Sequence, residues 1–274
     1  MITKIYHLAD VHIRPFQRLD EYSVKLEEFK ELLKKDIGDT PYDDIRIVIS
    51  GDIVHNKLAI SNELIAFAST WIRQLEELGR VVIISGNHDL LVDNKSRVDT
   101  LSAIFTAAGF KNAIHVDGYL GYESGIYVDD NITWALYSIF SDYRRPDIEK
   151  ARRDYPNNTV VGLYHGPIIG ASLFNGSSID SGVDCDIFEG CDIVMAGDIH
   201  KRQEIVRGNT EIVYPGSLIQ QNFGESISQH GFVVWNMKDK THKYIDLSTD
   251  YSLYNFTINE PEDIDNNKEM LMNA

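Results

Sequence analysis

Two cysteines in 274 residues are too few for a disulfide framework, and the spacing of Cys185 and Cys191 matches no zinc motif. They read as reduced, structural thiols in a reducing, cytoplasmic compartment. Also missing is any run of about 18 apolar residues, which excludes a membrane-spanning helix. Met1 leads straight into the strand-like ITKIYHLA, with no basic n-region and no apolar h-region, so no signal peptide is expected. Positive charge is scarce: 26 Lys and Arg stand against 42 Asp and Glu, a formal net charge of −16. Taken alone, that balance argues against a phosphate-rich ligand, which ordinarily needs a basic surface.

What the chain does have is a repeated pattern. Five segments run from an apolar stretch directly into Asp, Asn and His: HLADVH ending at His12, ISGDIVH ending at His55, ISGNHD ending at Asp89, LYHG ending at Gly166, and MAGDIH ending at His200. Five such clusters at the ends of five predicted strands imply one site built from loops at a sheet edge. Mixed carboxylate, amide and imidazole donors without cysteine suit Mn²⁺, Fe or Zn²⁺ at a catalytic site, and not a structural zinc. Two divalent cations would add four positive charges where a phosphate sits, which weakens the argument from net charge. Arg14, Arg18, Lys57, Lys95, Arg97, Lys201 and Arg202 flank the motifs; solvated surface charge is the simpler reading of each.

The coarse organisation is alternating strand and helix. Strands are expected at 4–8, 45–50 and 81–85, and between the first two lies an amphipathic helix at about 21–35 with Tyr22, Leu26, Phe29, Leu32 and Leu33 on one face. A second helix, capped by Ser61 or Asn62, buries Leu64, Ile65, Ala68, Trp71, Ile72, Leu75 and Leu78 and ends at Gly79. A third covers 97–108. This β-α-β-α-β order predicts a largely parallel sheet. Shorter strands follow at 125–128, 133–137 and 160–164, with the charged stretch 141–158 as a solvated helix. Strands at 211–214, 232–236 and 243–246 read as a returning antiparallel meander, and two helix-backed sheets would account for the whole. Residues 1–250 are expected to form one domain, and 251–274 a tail or the start of a further element.

Each cluster has an assignable chemistry. Asp10 and His12, at i and i+2 of an extended segment, would face one cation together. Asp52 suits a ligand bridging two metals, with Asn87 giving a carbonyl oxygen and His165 and His200 imidazoles. Gly51, Gly86, Gly166 and Gly197 would let the backbone turn and approach the ions. His88 is placed to be protonated and to donate to a leaving oxygen, with Asp89 holding its ring. Cations that activate water and offset charge on phosphoryl oxygens make the expected reaction phosphate-ester hydrolysis. A lone Asp-x-His is common without function, whereas five ordered clusters are not. His7, His115, His230 and His242 lack such context and read as surface or core residues. His55 would line the phosphate pocket or cap the next loop, and Tyr164 and Phe223 would stack on a base or simply pack.

The motifs DVH, GDIVH, GNHD, YHG and GDIH, in this order and over roughly residues 1–247, resemble the calcineurin-like metallophosphoesterase superfamily. Within it, LADVHI, GDIVHNK, GNHDLLVDNKSRVDTLSAI and YPGSLIQQNFGE look most like the nuclease subunit of the SbcD or meiotic-recombination-eleven type. The resemblance implies an α/β fold, a four-layer α/β/β/α sandwich, and two Mn²⁺ ions, with Mg²⁺ or another divalent metal as alternatives. It also implies DNA as substrate, an SbcC-type coiled-coil ATPase partner, a homodimer, and a cytoplasmic or nucleoid-associated place in the cell. By the same resemblance Asp10, His12, Asp52 and His200 would hold one metal, Asp52, Asn87 and His165 the other, and His88 would be the catalytic acid. The family's last motif is usually Gly-His-x-His; here Asp198 stands where the first imidazole is expected, and would bind a hard cation in its place. Family members continue into a capping domain and an ATPase-binding segment, for which 274 residues leave no room. The expected activity is Mn²⁺-dependent exo- and endonucleolytic cleavage. Two alternatives are a phosphatase acting on a nucleotide, small molecule or phosphoprotein, and a weakly catalytic scaffold at DNA ends.

Overall fold

The computed structural model describes residues 1–14, 16–57, 60–108, 123–254, 257–266 and 268. His115 and part of the expected tail therefore lie outside the described residues.

The first half is built as the hydrophobic pattern dictates. Strands β1 (Lys4–Leu8), β2 (Ile45–Ser50) and β3 (Arg80–Ile84) run parallel, connected by helices α1 (Leu19–Ile37) and α2 (Asn62–Glu76). Alternation along each strand splits its side chains between two cores. Tyr6, Leu8, Ile45, Ile47, Ile49, Val81 and Ile83 face the helices, while Ile5, Val48, Val82 and Ile84 face the opposite way. On α1, Tyr22, Leu26, Phe29 and Leu33 are buried and Leu32 partly so; on α2, Leu64, Ala68, Trp71, Ile72 and Leu75 are buried, with Ile65 and Leu78 half-buried. Each fully buried aliphatic side chain contributes about 1.5–3 kcal/mol. The Ser61 side chain accepts from the Leu64 N–H and so starts α2. Gly79 does not act as a left-handed cap: a Cβ there would collide with Ile45, so glycine is needed for close packing on β2. The third helix, α3 (Thr100–Ala108), starts three residues later than expected.

The second half builds another sheet. Strands β4 (Gly125–Asp129), β5 (Ile132–Tyr137), β6 (Thr159–His165), β7 (Ile193–Gly197), β8 (Gln203–Arg207) and β9 (Thr210–Tyr214) are ordered β4-β5-β6-β7-β9-β8. Two later strands, β10 (Gly231–Asn236) and β11 (Thr241–Asp246), return to the first sheet and give the order β11-β10-β1-β2-β3. The expected meander is thus divided: 211–214 belongs to one sheet, 232–236 and 243–246 to the other. Trp134, Leu136, Val161, Leu163, Met195, Val233 and Trp235 fill the space between the sheets. Beyond the second sheet, Tyr137, Val160, Phe188 and Ile212 pack with Ile148 of the short helix α4 (Ile148–Asp154). A mixed α/β sandwich of two multi-stranded sheets results, as the sequence led one to expect.

The stretch 141–158 is less helical and less solvated than its charge suggests. Only α4 is helical there, and Arg145 and Arg152 bond to the carbonyl oxygens of Ile187, Glu189 and Gly190. A short helix, α5 (Glu262–Asn266), lies within the expected tail. Among the described residues no helix is long and apolar enough to cross a membrane. Cys185 and Cys191 are free.

Candidate metal centre

The five clusters meet at one place because both sheets point the carboxyl ends of parallel strands toward it. Asp10 and His12 follow β1, Asp52 follows β2, Asn87 and His88 follow β3, His165 ends β6, and Asp198 and His200 follow β7. The loops after β1 and β2 run side by side: Asp10 N–H donates to the Gly51 oxygen at 3.1 Å, His12 N–H to Asp52 at 2.9 Å and Ile13 N–H to Ile53 at 2.9 Å.

Asp10 and His12 converge, though not by strand alternation. Both have left-handed backbone, with φ of 52° and 51°, as do Asp52 at 56° and Asp198 at 94°. Such conformations in non-glycine residues cost of order 1–3 kcal/mol and persist where surrounding structure imposes them. Here the crossed hydrogen bonds of the two loops do so.

The side chains form two adjoining ligand sets. In the first, His12 Nε2 lies 3.9 Å from Asp10 Oδ1, 3.4 Å from Asp52 Oδ2 and 3.0 Å from His200 Nε2. His200 Nε2 is in turn 3.9 Å from Asp10 Oδ1. In the second, His165 Nε2 lies 3.4 Å from Asp52 Oδ1 and 3.8 Å from Asp198 Oδ1. Asn87 Nδ2 donates to Asp198 Oδ1 at 2.7 Å, leaving the amide oxygen available to a cation. Asp52 thus presents one oxygen to each set, the arrangement of a bridging carboxylate.

The chemistry of these donors fits cations. His165 Nε2 is buried without a hydrogen-bond partner, while Nδ1 meets the Ser50 carbonyl oxygen at 2.6 Å. That bond puts the proton on Nδ1 and turns the Nε2 lone pair into the site. Glu225 Oε1 does the same for His200, 2.7 Å from Nδ1. Burial lowers the His200 pKa, but Glu225 and Asp10 outweigh it and lift the ring to about 8. Burial opposes a proton on His165 too, yet Asp52, Asp10 and Asp198 hold it well above its ordinary value, so a cation entering there displaces a proton.

The glycines are needed because ligands pass close to the backbone. A Cβ on Gly86 would strike the Asp52 carboxylate, and one on Gly51, whose φ is 91°, would strike the His165 ring. His88 lies over the first set, its ring 4.7 Å from that of His12 and stacked at 5.3 Å on that of His55. His55 is therefore beside the candidate metal ligands, and not merely the start of the next loop. His88 Nδ1 bonds to the His55 carbonyl oxygen at 2.6 Å.

That contact corrects the role expected of Asp89. Its carboxylate does not reach the His88 ring; it accepts the backbone N–H groups of Asp52 at 2.8 Å, Val54 at 3.2 Å and Gly86 at 2.9 Å. Asp89 is a tie between the second and third ligand loops. Burial pushes its pKa up to about 7, reinforced by Asp52 and opposed by the N–H donors of Gly86 and Val54.

Sequence reading missed Glu225. It accepts from Ser217 Oγ, the Gln221 N–H and Asn222 Nδ2 as well as facing His200, so it is the hub of the QQNFGE turn. Its only sequence signal is that it is the acid that closes YPGSLIQQNFGE. Of the remaining histidines, His7 is fully buried between the sheets and its pKa is driven down to about 3 by burial. His230 bonds to Ser217 and Ser226, and His242 lies between Glu204 and Glu211. Tyr164 is a packing residue, its hydroxyl donating to the Pro167 oxygen. A cavity of about 780 Å³, lined by Arg152, Cys185, Asp192 and Arg207, lies at the opposite end of the second sheet. It plays no part in this centre.

The model of the family described as calcineurin-like phosphoesterase matches residues 3–202. An uncharacterized protein of Acanthamoeba polyphaga mimivirus is 36% identical over 258 residues, covering 91% of this chain. The match spans only 18% of the length of that viral protein. A conserved uncharacterized protein of known crystal structure from Streptococcus pneumoniae TIGR4, described as a predicted phosphoesterase, aligns at 14% identity with a TM-score of 0.30, covering 80% of this chain and 75% of that one.

Proposed function

Since the chain belongs to the calcineurin-like phosphoesterase family, we propose that it is a phosphodiesterase that cleaves DNA with two divalent cations, Mn²⁺ foremost. The observation that carries this reading is Asp52, whose two oxygens face His12 and His165 at 3.4 Å each. Asp10, His12, Asp52 and His200 would hold one cation, and Asp52, Asn87, His165 and Asp198 the other. When bound, such a pair supplies an activated water and stabilises charge on the phosphoryl oxygens. This chain's residues do the rest. His88 donates Nδ1–H to the His55 carbonyl, so Nε2 is the ring nitrogen that, in the imidazolium, would give its proton to the leaving oxygen and return to the neutral Nδ1–H form. Asp89 keeps that loop in register with Asp52.

Release of nucleotides from an end-labelled DNA duplex, with Mn²⁺ and with chelator, tests the proposal beside His88→Ala. Metal-dependent cleavage lost in the variant supports it. Hydrolysis of a small aryl phosphate by a protein that leaves DNA intact would move the reading to the phosphatase. The resemblance extends the proposal to an SbcC-type ATPase partner and a second copy of the chain, which co-purification and light scattering would test.

A further inference from the structure

The loop after the first ligand pair carries two costly features that the metal centre does not use. Arg14 follows Ile13, which pairs with Val54 and accepts the His55 N–H at 3.2 Å, so the arginine sits beside the His55–His88 stack. Its Nε is buried without a hydrogen-bond partner, and no acid pairs with it among the described residues. A buried donor left unsatisfied costs about 1–3 kcal/mol.

Two residues on, Phe16 is 76% exposed with φ of 73°. A bulky side chain in left-handed backbone is a genuine outlier and costs roughly 1–2 kcal/mol. The loop is nevertheless held at both ends. Ile13 is paired with Val54, and Arg18 bonds to Glu21 and to the Gln220 oxygen at 2.7 Å. That second anchor brings it against the loop carrying Phe223, which is 56% exposed. Arg18 Nη1 is a second buried donor without a partner.

We propose that this loop is a polynucleotide subsite adjoining the metal centre, in which Arg14 binds a phosphate next to the scissile one and Phe16 stacks on an unpaired base. The inference rests on the phosphodiesterase reading above and adds its substrate class, a single-stranded segment. Guanidinium nitrogen pairs with phosphate oxygens through charge-assisted bonds, which satisfies the buried donor. An aromatic ring displayed to solvent stacks on a base only where that base has left its own stack. One loop thereby supplies both halves of a nucleotide's chemistry despite the acidity of the whole chain.

The test compares Arg14→Ala, Arg14→Lys, Phe16→Ala, Phe16→Trp and Phe16→Gly with the wild type. Each is assayed with Mn²⁺ on a short oligothymidylate and on bis(p-nitrophenyl) phosphate, which has no second phosphate and no base. Binding of the same fluorescein-labelled oligothymidylate is followed by anisotropy in EDTA. Arg14→Ala is expected to raise KM for the oligonucleotide about tenfold, to lose far less on the aryl diester, and to reduce the salt slope of binding by about one. Phe16→Ala weakens oligonucleotide binding and Phe16→Trp restores it, while Phe16→Gly raises the melting temperature and still binds poorly. Equal losses on both substrates, or an unchanged affinity and salt slope, overturn the subsite. Tighter binding of duplex than of single strand overturns the stacking assignment. A wild type that hydrolyses neither substrate overturns the phosphodiesterase reading, and the binding arm then judges the subsite alone.

Discussion

His200 and Glu225 face each other across 2.7 Å, imidazole Nδ1 to carboxylate Oε1, with His200 Nε2 left pointing at His12. The carboxylate fixes the tautomer and raises the basicity of the ligating nitrogen. Glu225→Gln is expected to weaken the first cation site about 10- to 100-fold. Isothermal titration with Mn²⁺, set beside the melting temperature of the chelated protein, separates this from simple unfolding; unchanged affinity would show that Glu225 only braces its own turn.

Asp198 presents Oδ1 to His165 Nε2 at 3.8 Å and receives Asn87 Nδ2 at 2.7 Å. A carboxylate at this position favours a hard cation, an imidazole a borderline one. Asp198→His should shift the second site from Mn²⁺ toward Zn²⁺, read by competitive titration of the two ions. If stoichiometry and preference stay the same, Asp198 is not a ligand.

Gly86 has no room for a side chain, since its Cβ would meet Asp52 and His165. Gly86→Ala should cost about 1–3 kcal/mol by overpacking and disturb metal binding as well. Gly125→Ala, whose Cβ would find only ordinary contacts near Tyr127, is the control. Equal urea midpoints for the two variants would contradict the crowding.

Asp192 is an electrostatic anchor far from the metal centre. Burial raises its pKa, but Lys240, the Val160 N–H and Arg152 outweigh burial and hold it below the ordinary 3.8. A carboxyl lowered in the folded state contributes stability above its ordinary value and loses it as pH falls through the folded one. Wild type should therefore exceed Asp192→Asn in melting temperature at neutral pH, with the gap closing in the acid range below 3.8. A gap that is constant with pH would assign the loss to packing instead.

Much of this architecture is legible residue by residue. The apolar runs of β1 and β2 end where the ladders end, and the helix faces follow from Tyr22, Leu26, Phe29 and Leu33. Motif chemistry brought Asp10, His12, Asp52, Asn87, His165, Asp198 and His200 to one locus because each follows or ends a strand. Three things were not legible. Strand β8 is an edge strand, half exposed, whose QEIVR carries little hydrophobic signal. The division of β9 from β10 and β11 depends on long-range pairing that no local pattern encodes. Backbone donors and acceptors such as the Ser50 and His55 oxygens have no side-chain signature, so the real partners of His165 and His88 could not be read from residue types.

The candidate ligands come from two sheets that meet through a shared core. Ser50 ends a strand of one and accepts from His165 of the other, while its hydroxyl reaches the Met195 oxygen. Neither half can assemble the centre alone. A partly folded molecule with only β1 to β3 in place holds Asp10, His12, Asp52 and Asn87 but lacks His165 and His200 opposite. Cation affinity at this centre would therefore report on completed folding, since both halves must have closed on each other before all of its donors are present.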